Sequence, residues 1–282
     1  MTEKVYKCTI GNFGVNDAFE ITDLLFENYS SVSCAEKENN WIIEILSINP
    51  LDDYKIRSLL RDYKYTGLEI EELQEEDWLK KNFETFRPII VGDFFIYGPH
   101  LRKDIHLFPK DKIIMEISAA TAFGTGAHPT TNRCLIACQT FFDNEKHRNI
   151  LDIGCGSCIL SVALAKLGAR HIDACDLDEE AVLVSQKNIA LNNVAHRINA
   201  FQNISQEVYK KYDFIIANIL AEPLISMAES VSSFLNKDSV LILSGFTSDD
   251  DSVLQKYLSI GLKLKFKYDY KGWTTLVMTA VF

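Results

Sequence analysis

The sequence predicts an α/β protein: a doubly wound, mostly parallel sheet closed by an antiparallel C-terminal hairpin, with a small α+β domain ahead of it. Three observations carry this. Between Asn149 and Asp176 a strand, a glycine turn, a helix and a second strand follow one another without interruption. Beyond Asp176, short apolar runs alternate with helical patterns as far as Ile260, the rhythm of parallel crossover units. Ahead of both, residues 1 to about 75 read strand, helix, strand, strand, helix, strand.

In that first segment Val5 to Ile10 alternates like a half-buried strand. Asp17 to Tyr29 spaces Phe19, Ile21, Leu24, Leu25 and Phe26 as a helix does. Ser31 to Glu36 and Trp41 to Ile48 are strands joined by the polar turn Lys37-Glu38-Asn39-Asn40. A second helix spans Pro50 to Tyr63, with Ile56, Leu59 and Leu60 on one face. Asp52 or Asp53 stands near its start, where the helix dipole favours an acid. Gly67 to Leu73 is a fourth strand. This order is the ferredoxin-like split βαβ plan, which hosts many functions and specifies none. Acidic residues outnumber basic ones about two to one here. That suits a docking surface for a basic partner, or equally a structural or dimerising lobe.

The expected division is a first domain over 1–75, a linker over 76–90 and a second domain over 91–282, with Gln74 to Glu84 as a charged connector. Short strands at Ile89–Val91 and Phe94–Ile96 are broken by Gly92, Gly98 and Pro99, and Lys112 to Ser118 is another strand. Ala119 to Thr131 is a loop carrying Phe123-Gly124-Thr125-Gly126, and Pro129 opens a helix that runs from Thr130 to Phe142. Free amides and hydroxyls gather at that helix start. They suit a ligand carboxylate, or Thr130 and Thr131 serve as caps alone. His128 is a candidate base or a structural hydrogen bonder.

The βαβ unit opens with the buried strand Asn149–Ile153, turns through Gly154-Cys155-Gly156-Ser157-Cys158, and continues as a helix that Gly168 stops. His171 to Cys175 is the second strand, ending on Asp176, 20 residues past Gly156. The glycines let a ligand approach the backbone, and an acid at that distance suits a ribose. A dinucleotide site would want a third glycine and a pyrophosphate on the helix start. Asp152, just before the turn, would repel a pyrophosphate and suit a cationic ligand instead. A helix over Glu179–Leu191, a strand over Arg197–Gln202 and a buried strand over Tyr212–Ala217 follow, the last leading into Asn218. Pro223 sits in the first turn of the next helix, to about Phe234. Val240–Ser244 is a fifth strand and Asp250–Ile260 a helix. Lys263–Tyr270 and Thr274–Phe282 flank Gly272-Trp273 as a hairpin. Ligands of such a sheet bind at the carboxyl ends of its strands, where Gly154, Asp176 and Asn218 all fall.

The 282 residues are 47% apolar, enough for two cores. A net charge of −10 argues against unaided binding to a phosphate backbone, so no direct nucleic-acid partner is expected. The N-terminus lacks the apolar segment of a signal peptide, and no run approaches a membrane span. A cytoplasmic protein without membrane contact is therefore expected. Seven cysteines, an odd count, read as reduced thiols. Cys155 and Cys158 form a C-x-x-C that is alternatively a redox pair; no second ligand pair accompanies it, and no metal is expected.

Asp152-x-Gly154-x-Gly156 resembles motif I of the class I S-adenosylmethionine methyltransferases, with Cys158 where that motif usually has glycine, a side chain added near the cofactor. AFGTGAHPTT at 122–131, LDIGCGSCIL at 151–160 and ANILAEPL at 217–224 together closely resemble the ribosomal protein L11 methyltransferase family, PrmA. The resemblance covers roughly 85–282 and extends more weakly to the N-terminal domain. It implies a Rossmann-like class I methyltransferase domain behind a ferredoxin-like substrate-recognition domain, expected as a monomer. It implies methyl transfer from S-adenosylmethionine to lysine side chains and the N-terminal α-amine of ribosomal protein L11. Thr131, Gly154, Gly156, Asp176 and Asn218 would then contact the cofactor, with Asp152 and Phe123 beside them. Asp176 would bond the ribose, Thr131 the methionine end, and Asn218 would act as the catalytic residue that holds the amine. The plain alternative for Asn218 is a helix cap. Other readings are a methyltransferase for another protein lysine or a small amine, and an assembly factor that binds S-adenosylmethionine without turnover.

Overall fold

The computed structural model describes residues 4–26, 28–29, 31–37, 40–47, 49–74, 88–118, 126, 128–203 and 211–281. The chain divides into two compact units, Met1–Thr85 and Phe86–Phe282. Among the described residues no helix is long and apolar enough to cross a membrane. Of the charged connector expected over Gln74 to Glu84, Gln74 closes the last strand of the first unit and the remainder lies outside the described residues.

The first unit is a four-stranded antiparallel sheet with two helices. Its elements are β1 (Lys4–Phe13), α1 (Val15–Phe26), β2 (Ser31–Lys37), β3 (Asn40–Ser47), α2 (Asp53–Leu59) and β4 (Thr66–Gln74). The sheet order is β2-β3-β1-β4. Alternate residues of the central strands, Cys8, Ile10, Ile43 and Ile45, pack in one core with Ala18, Ile21, Leu25, Ile56 and Leu60 of the helical segments. Asp52 caps α2 by accepting the amides of Tyr54 and Lys55 at 2.9 and 3.2 Å.

The second unit opens with a three-stranded sheet: β5 (Ile89–Val91), β6 (Phe94–Tyr97) and β7 (Ile113–Glu116), with β6 central. β5 starts at Ile89, inside the stretch expected as a linker. Between β6 and β7, Pro99–Leu107 forms a 3₁₀ helix where only broken strands were expected. Pro99 at its first position pre-sets the helical φ.

The large sheet follows. Its elements are α3 (Pro129–Phe141), β8 (Asn149–Ile153), α4 (Ile159–Lys166), β9 (His171–Asp176), α5 (Glu179–Leu191), β10 (Ile198–Gln202), β11 (Tyr212–Asn218), α6 (Ala221–Ser226), α7 (Ala228–Phe234), β12 (Leu235–Thr247), α8 (Ser252–Ser259), β13 (Lys263–Tyr270) and β14 (Trp273–Thr279). Strand order is β10-β9-β8-β11-β12-β14-β13, parallel from β10 to β12, with β14 antiparallel to both β12 and β13.

Strand side chains alternate between two cores. Ile150, Ile172, Phe214, Ile216, Ile242 and Val277 pack with α3, α4 and α5. Leu151, Ile153, Ile215, Leu241, Leu243, Leu276 and Met278 pack with α6, α7 and α8. Burial on both faces is why these strands read as continuous apolar runs. One helix was expected from Pro223 to Phe234, but the chain breaks at Met227 into α6 and α7. The Pro223 carbonyl accepts both the Met227 amide and Ser226 Oγ, each at 3.0 Å, at that last turn of α6.

Phe214 anchors the middle of the sheet. It is fully buried, with the rings of Phe142 and His147 at 5.8 and 5.3 Å. Phe214→Ala should cost about 3–5 kcal/mol of unfolding free energy, read from the urea midpoint at constant slope.

Candidate active site

Three parallel strands end side by side, and their last residues start the site. β8 ends at Ile153, β9 at Asp176 and β11 at Asn218. Gly154 takes a left-handed φ of 69°, which lets its amide and that of Cys155 both reach the Cys175 carbonyl, at 2.8 and 3.0 Å. Gly156 is left-handed as well, at φ 51°, and donates its amide to Asp176 Oδ2 at 2.8 Å. Asp176 Oδ1 accepts the amide of Asp178 at 3.1 Å. The carboxylate thus ties the glycine turn to the start of α5 and keeps further lone pairs for a ligand hydroxyl.

The turn ends at Cys158, whose φ of 64° is left-handed for a residue with a β-carbon. Glycine would take this conformation without strain, which accounts for its usual place in the motif. The Cys158 side chain is fully buried in the core with α4. Cys155 is buried next to it. The hydrogen-bonding neighbour Cys158 and burial push the Cys155 thiol far up. A thiolate, the reactive form, is disfavoured here, which speaks against the redox pair. All seven cysteines are free thiols.

Asp152 sits behind the turn, only 1% exposed, and accepts a hydrogen bond from Ser161 Oγ at 2.6 Å. It braces β8 against α4. Burial pushes its carboxyl up to about 6, with the Ser161 hydrogen bonds opposing.

Across the sheet, Asn218 Nδ2 donates to Thr131 Oγ1 at 3.3 Å. Thr131 is 1% exposed in the first turn of α3. Asn218 Oδ1 is buried and has no hydrogen-bond partner among the described residues. A buried carboxamide oxygen left open is an acceptor awaiting a donor. The N-cap of α6 is Leu220, not Asn218, and no side chain caps that helix. His128 caps α3, accepting the Thr130 amide at 3.3 Å, and its ring stands edge-on to Trp273 at 4.8 Å. Burial lowers the His128 pKa. Phe246, the other aromatic near the end of β12, is 3% exposed. Phe123 lies outside the described residues.

Ile219, after Asn218, joins the pieces. A β-carbon on Gly154 would fall 2.3 Å from Ile219 Cγ2. One on Gly245, whose φ is 104°, would fall 2.2 Å from the Ile219 carbonyl oxygen and 2.6 Å from its carbon. The expected residues therefore form a connected set: Thr131 to Asn218, through Ile219 to Gly154, and through Gly156 to Asp176. The packing of Gly245 against Ile219 and the Ser161 brace were not foreseen. A glycine directly after the fifth strand was the available signal for the first, and a serine in the first turn of an apolar helix for the second.

The family described as Ribosomal protein L11 methyltransferase (PrmA) matches residues 27–280. A ribosomal protein L11 methyltransferase of Brucella abortus (strain S19) is 39% identical over 215 residues, 74% of this chain and 74% of that protein. One of Geotalea uraniireducens (strain Rf4) is 34% identical over 215 residues, 72% of this chain and 68% of that protein. A crystal structure of ribosomal protein L11 methylase from Lactobacillus delbrueckii subsp. bulgaricus superposes with a TM-score of 0.63 at 26% identity, covering 70% of this chain and all of that one. The mostly parallel central sheet is that of an α/β methyltransferase.

Two outcomes test this packing. Gly154→Ala and Gly245→Ala should both destabilise, but Ile219→Ala should recover part of the loss only with Gly154→Ala, because Gly245 meets backbone; a double-mutant cycle in urea reads this. Asp152 offers a pH test. With its carboxyl raised in the folded state, the folded protein holds a proton between about pH 4 and pH 6 that the unfolded chain has released. Stability from this group is therefore lost as pH rises through that window, by about 3 kcal/mol. In Asp152→Asn that part of the decline should vanish when urea midpoints at pH 4 and pH 7 are compared.

Proposed function

This chain belongs to the ribosomal protein L11 methyltransferase (PrmA) family and is a protein methyltransferase, and we propose from that premise how its residues divide the work. The methyl donor is S-adenosylmethionine, and the acceptors are lysine side chains and the N-terminal α-amine of ribosomal protein L11. The observation that carries the assignment of roles is Asn218: its N–H is held by Thr131 and its Oδ1 is buried and open.

The residues present fit that cofactor. The turn that would cradle it is shaped by the left-handed Gly154 and Gly156, Gly154 lying against Ile219 and Gly156 offering its amide to Asp176. Asp176 keeps acceptor capacity for ribose hydroxyls. Thr131, in the first turn of α3, faces the methionine end with the free amides of a helix start. Asp152 supports the site from behind, by bracing the turn. When bound, S-adenosylmethionine supplies a methyl group on a positively charged sulfur and leaves as S-adenosylhomocysteine.

The protein's own task is to present a neutral amine in line with that methyl. A lysine amine has an ordinary pKa near 10.4 and an α-amine near 7.7–8.0, so the lysine gains more from a site that disfavours charge. Asn218 Oδ1 accepts a hydrogen bond from the amine and aims its lone pair. Thr131 fixes the carboxamide by taking its N–H, so the oxygen is the face presented. Catalysis by this route is positioning and water exclusion and needs no dedicated base.

The first unit, with its β-α-β-β-α-β order and β2-β3-β1-β4 sheet, follows the ferredoxin-like plan and serves as the substrate-recognition domain. Its acidic excess suits a basic protein substrate. A monomer acting in the cytoplasm completes the proposal.

The test is incubation with tritiated S-adenosylmethionine and ribosomal protein extract from cells lacking this enzyme. One labelled large-subunit protein carrying several methyl groups is expected; label on another protein would keep the chemistry and discard the substrate. Asn218→Ala should lower kcat about a hundredfold, while calorimetric affinity for S-adenosylmethionine stays within about threefold. Near-normal turnover would remove Asn218 from its positioning role.

A further inference from the structure

β7 is an edge strand whose second edge is buried, and the way that edge is satisfied reaches the site. β6 pairs with it on one side only. Ile117 donates to the Tyr97 carbonyl on that side, at 2.9 Å. By strand alternation the peptide groups of Glu116 and Ser118 point the other way, and buried peptide groups need partners. No strand supplies them among the described residues. Two asparagines of α5 and its C-terminal cap do.

Asn192 donates to the Glu116 carbonyl at 2.7 Å and accepts the Glu116 amide at 3.1 Å. Asn188 donates to the Ser118 carbonyl at 3.1 Å and accepts the Ser118 amide at 2.8 Å. Each carboxamide reads one residue's peptide groups as a neighbouring strand would. The spacing fits: four helical residues rise about 6 Å and two strand residues about 6.6 Å.

The two asparagines differ in their second N–H. That of Asn192 returns to the Asn188 carbonyl within its own helix, at 2.8 Å. That of Asn188 crosses to the Ser157 carbonyl, in the glycine turn, at 2.8 Å. Asn188 is fully buried with both donors and its acceptor used. Ser157 lies between the left-handed Gly156 and Cys158. The turn is therefore held on one side by Asp176, through the Gly156 amide, and on the other by Asn188, through the Ser157 carbonyl. The same carboxamide grips Ser118, the root of the segment that leads to Thr131.

We infer that Asn188 is a positioning residue for the cofactor site: one buried carboxamide sets the height of the glycine turn relative to the root of the Thr131 segment. It touches no ligand. The inference deepens the proposed function, since it takes the turn as the S-adenosylmethionine cradle. Asn192 is its internal control, because it grips the same strand in the same way and has no bond to the turn.

The experiment compares Asn188→Asp with Asn192→Ala in the full chain. Asn188→Asp keeps shape and acceptor but removes both donated hydrogen bonds; Asn188→Ala replaces it if the aspartate fails to fold. Both sites should lower Tm. Only the Asn188 variant should weaken calorimetric binding of S-adenosylmethionine, by about tenfold or more, with kcat at saturating cofactor within about threefold. Only it should speed hydrogen exchange at the amides of residues 156–158. Equal cofactor affinity and equal exchange in the two variants would overturn the inference and leave both asparagines as strand caps. If wild-type protein bound no S-adenosylmethionine, the cofactor reading would fall; exchange at 156–158 would still decide whether Asn188 holds the turn.

Discussion

Ile219 lies where two strand ends meet with no room for a β-carbon on either. Its side chain closes on Gly154, and its backbone lies against Gly245. In a parallel sheet every strand delivers its last residue to one rim, and adjacent rims are about 4.8 Å apart. Loops leaving that rim compete for space, and the strand ends come into register only if some of them lack side chains. Here that crowding sets the place of Asn218 with respect to the turn after β8. The positions of Thr131 and Asp176 follow, one by contact with Asn218 and the other through the amide of Gly156.

Because the rim is assembled from short loops, buried polar groups brace it from behind. Asp152 and Ser161 join β8 to α4, and Asn188 and Asn192 join α5 to the second edge of β7. Glu116, whose peptide groups Asn192 grips, is itself bound through its carboxylate by Arg102 and Tyr97. A buried polar group satisfied at every valence specifies one arrangement, since each alternative leaves a donor or acceptor unmatched. Apolar contact alone would let the loops slide by an ångström at little cost. Methyl transfer in line tolerates no such slippage.

Most of the fold was legible in the sequence because it is written in short-range patterns. The βαβ unit from Asn149 to Asp176 was found nearly to the residue, since apolar runs, glycines and a helix stop all fall within one crossover. The family segments contain Thr131, Gly154, Gly156 and Asn218, and the spacing from the glycine turn pointed to Asp176; the structure joins these residues through short contacts. Hidden from view were features that depend on partners far along the chain. Asn188 meets Ser157 across 31 residues and Ser118 across 70, and nothing local marks it apart from any other helical asparagine. Asp152 reads in sequence as an acid beside a ligand, yet the pleat of β8 turns it inward to Ser161. Cys158 reads as a side chain added to the cofactor loop, but the left-handed turn directs it into the core. The break at Met227, where φ is −95° and ψ 4°, has no local mark in the sequence either.

The polar inventory of the rim also narrows the chemistry. A general base for a lysine would need to stay unprotonated near neutrality and reach the amine. His128, the nearest imidazole by sequence to Thr131, is kept toward its neutral form by burial, but its Nδ1 is engaged with Thr130 and its ring with Trp273. Asp176 accepts from the turn and from the start of α5, and on the proposed reading its remaining acceptor capacity goes to the ribose. Among the described residues, the buried side-chain oxygen without a partner at the end of β11 is a neutral one, Asn218 Oδ1. A carboxylate in that place would bind a charged ammonium more tightly than the neutral amine, favouring the unreactive form. A carboxamide accepts the same hydrogen bond without that electrostatic preference. On the proposed reading, asparagine at the end of β11 would hold the amine in its nucleophilic state, where a carboxylate would hold the ammonium.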